Sequence, residues 1–176
     1  MSRRTMTEKI LMLIAASAKE GAAKLTYPHW GLGKLFKDYH GSLSQTIYQL
    51  KRRGYLEQIE IEGQKYLKLT AKGRLKTIKR KILKQWDGYW RIIAFDIEET
   101  KKRTRDLFRS KLRELNCMPI QKSVWITPND ISFELQELIE LLNLEKNVDY
   151  FISKALTNKE KYLEMFKIEK IDKIKE

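Results

Sequence analysis

One cysteine, Cys117, and two histidines, His29 and His40, are all that the 176 residues hold of those types. A lone thiol excludes an internal disulfide and suits a reducing cytosol. With so few histidines no cluster has zinc-ligand spacing, and a Cys–His nucleophile pair has little support. Long apolar runs are missing as well. The run "ILMLIAASA" near the N-terminus is too short to span a bilayer. Arg3 and Arg4 before it raise the alternative of a secretory signal. Glu8 and Lys9 interrupt that pattern, and Ile10, Leu11, Leu13 and Ile14 fit one face of an ordinary first helix over about residues 7–18. The expectation is a cytoplasmic protein with no membrane segment. There is also no internal repeat and no low-complexity linker.

Charge is abundant and unevenly placed. Hydrophobic residues at 42% and charged residues at 34% describe a globular chain with a polar surface, long enough for one domain or two small ones. Residues 1–85 carry 19 Lys/Arg against 6 Asp/Glu, which accounts for the whole net charge of +13, whereas residues 86–176 carry 17 of each. A basic half joined to a neutral half implies that one part meets a polyanion and the other does something else.

In the basic half, a loop with Pro28 leads to a short helix carrying Leu32, Leu35 and Phe36. In "GSLSQTIYQLKRRGYL", Ser42 is placed to cap a helix whose Leu43, Ile47 and Leu50 form a buried stripe, and Gly54 ends it. The opposite face presents Ser44, Gln45, Tyr48, Gln49 and Arg52. "EQIEIEGQKYLKLT" alternates as two strands around Gly63-Gln64, and Thr70 caps a further helix over 71–85. Three helices followed by a hairpin is the winged helix-turn-helix order. A third helix of this kind lies in the major groove of double-stranded DNA, where Gln, Ser and Arg ends read base edges. Lys51, Arg52 and Arg53, with Lys65 and Lys68 on the hairpin, would neutralise phosphates. The competing reading is a protein-contact module with a solvated basic face.

In the neutral half, "WDGYWRIIAFDI" reads as a buried strand. A helix follows over about 100–115, with Leu107, Phe108, Leu112 and Leu115 inward and Asn116 at its left-handed end. Strands in "CMPIQKSVWITP", a helix in "ISFELQELIELLNL" and a strand in "VDYFISKAL" complete a β-α-β-β-α-β order, the ferredoxin-like fold. The expectation is thus an α+β chain: a winged helix-turn-helix over 1–70, a basic connector helix over 71–85, a ferredoxin-like domain over 86–156 and a helical tail over 157–176.

The stretch "WDGYWRIIAFDIEETKKRTRDLFRSKLRELNCMPIQKSVWITP" resembles the central domain of the PaaX-like transcriptional regulators, the phenylacetate-operon repressor family. There too the domain follows a winged helix, so the resemblance covers about residues 7–153. The domain is in turn similar to the small CRISPR-associated endonuclease of spacer acquisition, through a strand ending in Asp ("AFDI"), Arg-rich helix positions such as Arg103, and "QKSVW". The sequence departs from both. The repressors carry a further C-terminal domain without counterpart here, which leaves their effector response open. They often have Pro soon after the strand Asp, where Glu98 and Glu99 stand. The nuclease normally lacks a basic winged helix.

The resemblance to the repressors implies a non-enzymatic, sequence-specific DNA-binding regulator acting as a homodimer, with no cofactor and an unidentified small-molecule effector, if any. The resemblance to the nuclease implies instead that Asp96 binds Mg²⁺ across a dimer in a metal-dependent nuclease or spacer-acquisition subunit. A third reading is an adaptor without sequence preference. Structurally, Asp96 has a plainer alternative: capping the following helix or pairing with Arg103. Cys117 reads as a packing residue.

Overall fold

The computed structural model describes residues 5–17, 22–24, 43–79 and 86–168. The short helix expected at Leu32, Leu35 and Phe36, the Ser42 cap, Pro28, both histidines, residues 80–85 of the connector and the end of the tail lie outside the described residues. The chain divides into two compact units, Met1–Ile78 and Lys79–Glu176.

The first unit is built on local signals that agree with one another. Helix α1 (Met6–Ser17) begins in a reciprocal cap, where Thr5 N–H donates to Glu8 Oε2 and Glu8 N–H to Thr5 Oγ1. Glu8 is thus a helix-capping residue, and Ile10, Leu11 and Ile14 beyond it are core. The helix α2 (Leu43–Arg52) buries Ile47 and Leu50 against them. It ends at Gly54, whose φ of 71° lets the Tyr55 N–H reach back to Leu50 O. Strands β2 (Leu56–Ile61) and β3 (Gln64–Leu69) pair antiparallel and add Leu56, Leu67 and Leu69 to the same core. Their turn residues are Glu62 and Gly63, both at positive φ, rather than the Gly63-Gln64 expected from sequence. A two-residue turn that matches the strand twist needs left-handed geometry at both positions. A short strand the sequence reading did not find, β1 (Ala22–Lys24), pairs with β3 and makes a three-stranded sheet of order β1-β3-β2.

Helix α3 (Ala71–Thr77) is shorter than the expected 71–85, since Ile78 is already extended with ψ of 106°. Its start is locked onto the end of α2. Thr70 Oγ1 accepts from Gly73 N–H and donates to Gly54 O, while Thr70 N–H donates to Tyr55 O. Gly73 is pressed so closely on that loop that an added Cβ would stand 2.1 Å from Tyr55 O.

In the second unit, β4 (Trp90–Phe95) is followed by a 3₁₀ turn, α4 (Lys102–Glu114), β5 (Met118–Gln121), β6 (Val124–Thr127), α5 (Ser132–Leu142), β7 (Val148–Ser153) and α6 (Lys159–Phe166). The sheet is four-stranded and antiparallel, ordered β5-β6-β4-β7. Ile93 and Phe95 are buried on one face, where Phe95 meets Phe108 of α4 edge-on at 5.1 Å. Trp90, Ile92 and Ile126 face the other way, into Tyr162 and Leu163 of α6. The expected tail therefore contributes to the core. Asn116 takes the left-handed conformation after α4, and Phe108, Leu112 and Leu115 are buried, but Leu107 is 38% exposed. It precedes Phe108 and so points about 100° away from the buried stripe. Among the described residues, no helix is long and apolar enough to cross a membrane.

The Gly73 contact yields a stability prediction. Gly73→Ala forces a methyl into a backbone carbonyl, which costs about 1–3 kcal/mol or more. The denaturation midpoint of Gly73→Ala should fall with an unchanged m-value, while exposed Lys76→Ala stays within about 0.5 kcal/mol. A Gly73→Ala protein as stable as wild type would refute the close approach.

Candidate nucleic-acid interface and the Asp96 cleft

Burial of Ile47 and Leu50 turns the other side of α2 to solvent. Ser44, Gln45, Tyr48, Gln49, Lys51 and Arg52 are exposed there, with Tyr48 62% accessible, and Arg53 follows at the helix end. Lys51 is steadied by a 2.9 Å hydrogen bond to Gln58 Oε1 on β2. Arg53 O accepts from Lys72 Nζ, whose charge also lies 4.8 Å from the Tyr55 ring. No carboxylate pairs with Lys51, Arg52 or Arg53 among the described residues.

The hairpin differs. Lys65 stands directly opposite Glu60, and Lys68 opposite Glu57 with 4.0 Å between Nζ and Oε1. Such exposed pairs are worth about 0–1 kcal/mol and leave both lysines reachable. Their charge is nevertheless offset by neighbours, with Glu62 adding another acid at the turn. In the described part of the first unit, the basic side chains without an acidic partner among the described residues thus lie at the end of α2 and on α3, at Lys72, Arg74 and Lys76.

Asp96 lies just past β4 in the second unit. Its backbone is fixed by Asn147 from both sides: Asp96 N–H donates to Asn147 O at 2.8 Å, and Asn147 Nδ2 donates to Asp96 O at 2.7 Å. The side chain is exposed and caps nothing, because the 3₁₀ turn starts only at Glu99 and neither that turn nor α4 has a side-chain cap. Arg103 is exposed on α4 and makes no pair with Asp96 among the described residues. The arginine that reaches back is Arg105, bonded to Glu99 at 3.1 Å and to Ile97 O.

Asp96 borders a cleft of about 940 Å³ whose lining includes Arg105, Arg109 and Arg113 of α4 and Lys122 of the β5–β6 turn. Glu98 accepts from Thr100 Oγ1, and Glu99 is taken by Arg105. Among the described residues no group of three His, Cys, Asp or Glu is placed to hold a metal. One chain therefore offers Asp96 and Glu98 without a cationic partner among the described residues, in a lining that also carries Arg105, Arg109, Arg113 and Lys122, and these residues by themselves do not make up the oxygen ligand set of a magnesium ion.

Sequence reasoning passed over two groups. The spacing Arg105, Arg109, Arg113 at i, i+4 and i+8 was the available signal for the cleft. Arg91, 5% exposed, was hidden by its apolar neighbours; it forks onto both Asp87 carboxylate oxygens and reaches Tyr89 O. Those hydrogen bonds hold the Asp87 carboxyl below the usual range. Cys117 is 3% exposed, and burial pushes its thiol up to about 12, which makes it an inert packing group.

Compared with known proteins, residues 83–164 match the model of the PaaX protein central Cas2-like domain. No curated protein matches the chain.

Since the Asp96 side chain makes no hydrogen bond or ion pair among the described residues, Asp96→Asn should change stability by less than about 0.5 kcal/mol. Neither protein should cleave DNA or RNA with Mg²⁺ or Mn²⁺. Cleavage by the wild type that Asp96→Asn abolishes would restore the metal reading, with a second chain completing the site.

Proposed function

From the match of residues 83–164 to the PaaX central domain, we propose that the chain is a PaaX-like transcriptional regulator, a repressor, that binds a specific double-stranded DNA sequence as a homodimer. The observation that carries this reading is the exposed face of α2: hydrogen-bonding ends at Ser44, Gln45, Gln49 and Arg52, an accessible Tyr48, and a basic end at Lys51, Arg52 and Arg53 free of acidic partners among the described residues. These are the residue types that read base edges and bind phosphates in the major groove. Taken as a winged helix-turn-helix, the first unit presents α2 as its recognition helix. The hairpin, with Lys65 and Lys68 opposite glutamates, then contributes less to phosphate binding than the end of α2.

Taken as ferredoxin-like, the second unit is the pairing module. The strand β7 lies at a sheet edge and exposes Phe151 at 53% and Ile152 at 57%. Exposed apolar side chains on an open edge favour a second copy, which would set the spacing of two half-sites. In this reading the second unit carries no catalysis, and Asp96 is a surface carboxylate.

Two tests address this reading. Gln45→Ala or Arg52→Ala should cost about 1–3 kcal/mol on the preferred site and relax its sequence, whereas Lys65→Ala should weaken all sequences about equally. If selection from a genomic fragment library returned one unchanged motif for the wild type and both α2 variants, α2 would not be the reading element. Separately, Phe151→Glu should shift the protein to monomer in sedimentation and lower affinity for a two-half-site operator far more than for a single half-site. A Phe151→Glu dimer would remove β7 from the interface.

A further inference from the structure

Helix α3 brings a second set of cations to the end of α2. Lys72 Nζ donates to Arg53 O at 2.9 Å and lies 4.8 Å from the Tyr55 ring centre. Thr70 Oγ1, just before α3, donates to Gly54 O at 2.6 Å. The carboxyl end of a helix carries partial negative charge, which repels a phosphate. Here the two carbonyls that follow α2 are covered by an ammonium and a hydroxyl, so the junction presents positive charge where bare carbonyls would stand. Gly73, pressed on Tyr55 O, keeps α3 in that place. On α2, Gln45, Gln49 and Arg52 form an exposed row, and Lys72 is bonded to the backbone where that row ends. Lys76 follows Lys72 by one turn on the same side of α3, with its Cβ about 6 Å away. It is exposed and has no acidic partner among the described residues. Arg74, two positions after Lys72, is exposed on the opposite side of the helix.

We propose that Lys72 and Lys76 of α3 hold the phosphate backbone of duplex DNA on the flank of the bases that α2 reads, so that the DNA contact runs on from α2 to α3. Lysine offers a point charge without the planar fork that suits a base edge, so this contact adds affinity for any duplex and no sequence preference. The proposal rests on α2 being the DNA-facing helix, and it extends the footprint to phosphates outside the bases that α2 reaches.

The test uses the full chain and two duplexes of equal length, the operator recovered by genomic selection and a scrambled sequence, with affinity measured across a salt series. Losing one phosphate contact removes about one from the slope of log affinity against log salt. Lys76→Gln should therefore lower that slope by about one on both duplexes, and Lys72→Gln combined with Lys76→Gln by about two, with the selected motif unchanged. Lys76→Arg keeps the charge and should keep the slope. Arg74→Gln removes the same charge from the opposite side of α3 and should leave the slope as in the wild type. On the operator, phosphate-ethylation interference should mark flanking phosphates for the wild type that the double variant no longer needs. Lys76 is exposed and carries no ion pair among the described residues, so Lys76→Gln keeps the fold, which the thermal midpoint verifies. The proposal is overturned if Lys76→Gln binds with the wild-type slope, or if Arg74→Gln changes the slope as much as Lys76→Gln does. Both outcomes are read on the scrambled duplex even when no preferred sequence is recovered. Failure of α2 to read sequence is thereby told apart from failure of the α3 contact.

Discussion

The second unit depends on what β4 does with its two faces. A strand paired on both sides, with β6 and β7, must satisfy opposite environments at alternate residues. Ile93 and Phe95 serve the core shared with α4, while Trp90 and Ile92 serve the cluster closed by Tyr162 and Leu163 of α6. Because the side-chain period is two, a slip of one residue would exchange these sets and expose both cores at once. The same constraint fixes where the strand stops. Phe95 is the last buried ring, so Asp96 emerges beyond the sheet with its backbone held by Asn147 and its carboxylate in the open. The position of Asp96 thus follows from packing, and its chemistry from what the cleft places opposite it.

Opposite it stand cations. An acid at a strand end invites comparison with a metal ligand, yet a ligand needs companions. Here Glu98 and Glu99 are engaged elsewhere, and the facing wall is arginine. The four cations of the lining, Arg105, Arg109, Arg113 and Lys122, outnumber its three acids, Asp96, Glu98 and Glu99, by one. The first unit has a different electrostatic pattern. Its hairpin lysines are offset by cross-strand glutamates, so the charge that set the basic half apart is expressed on the described surface at the end of α2, beside the side chains able to read bases, and on α3.

Much of this was legible because it is local. The Leu43, Ile47, Leu50 stripe, the Gly54 stop, the Thr70 cap and the left-handed Asn116 are decided within one or two turns of chain, and all but Leu43, which is only partly buried, are seen as expected. Errors arose where a decision was shared with distant residues. Placing the hairpin turn at Gly63-Gln64 would set Glu62 opposite Lys65; the actual turn at Glu62-Gly63 sets Glu60 there instead. A helix over 71–85 was plausible from its periodicity, but within the described residues it ends at Thr77. Leu107 was read as core by its apolar character, although its neighbour Phe108 occupies the inward direction.

The sequence by itself determined the partition of charge, the order of strands and helices from β4 to β7, and which face of α2 is apolar, since composition and periodicity are properties of neighbouring residues. Only the tertiary structure decided that α6 closes a core on Trp90. It alone set Arg109 and Arg113 on the rings of Phe95 and Trp125. Each of these joins residues far apart in the chain or set side by side through strand pairing, where geometry is fixed by register and packing that no local pattern encodes.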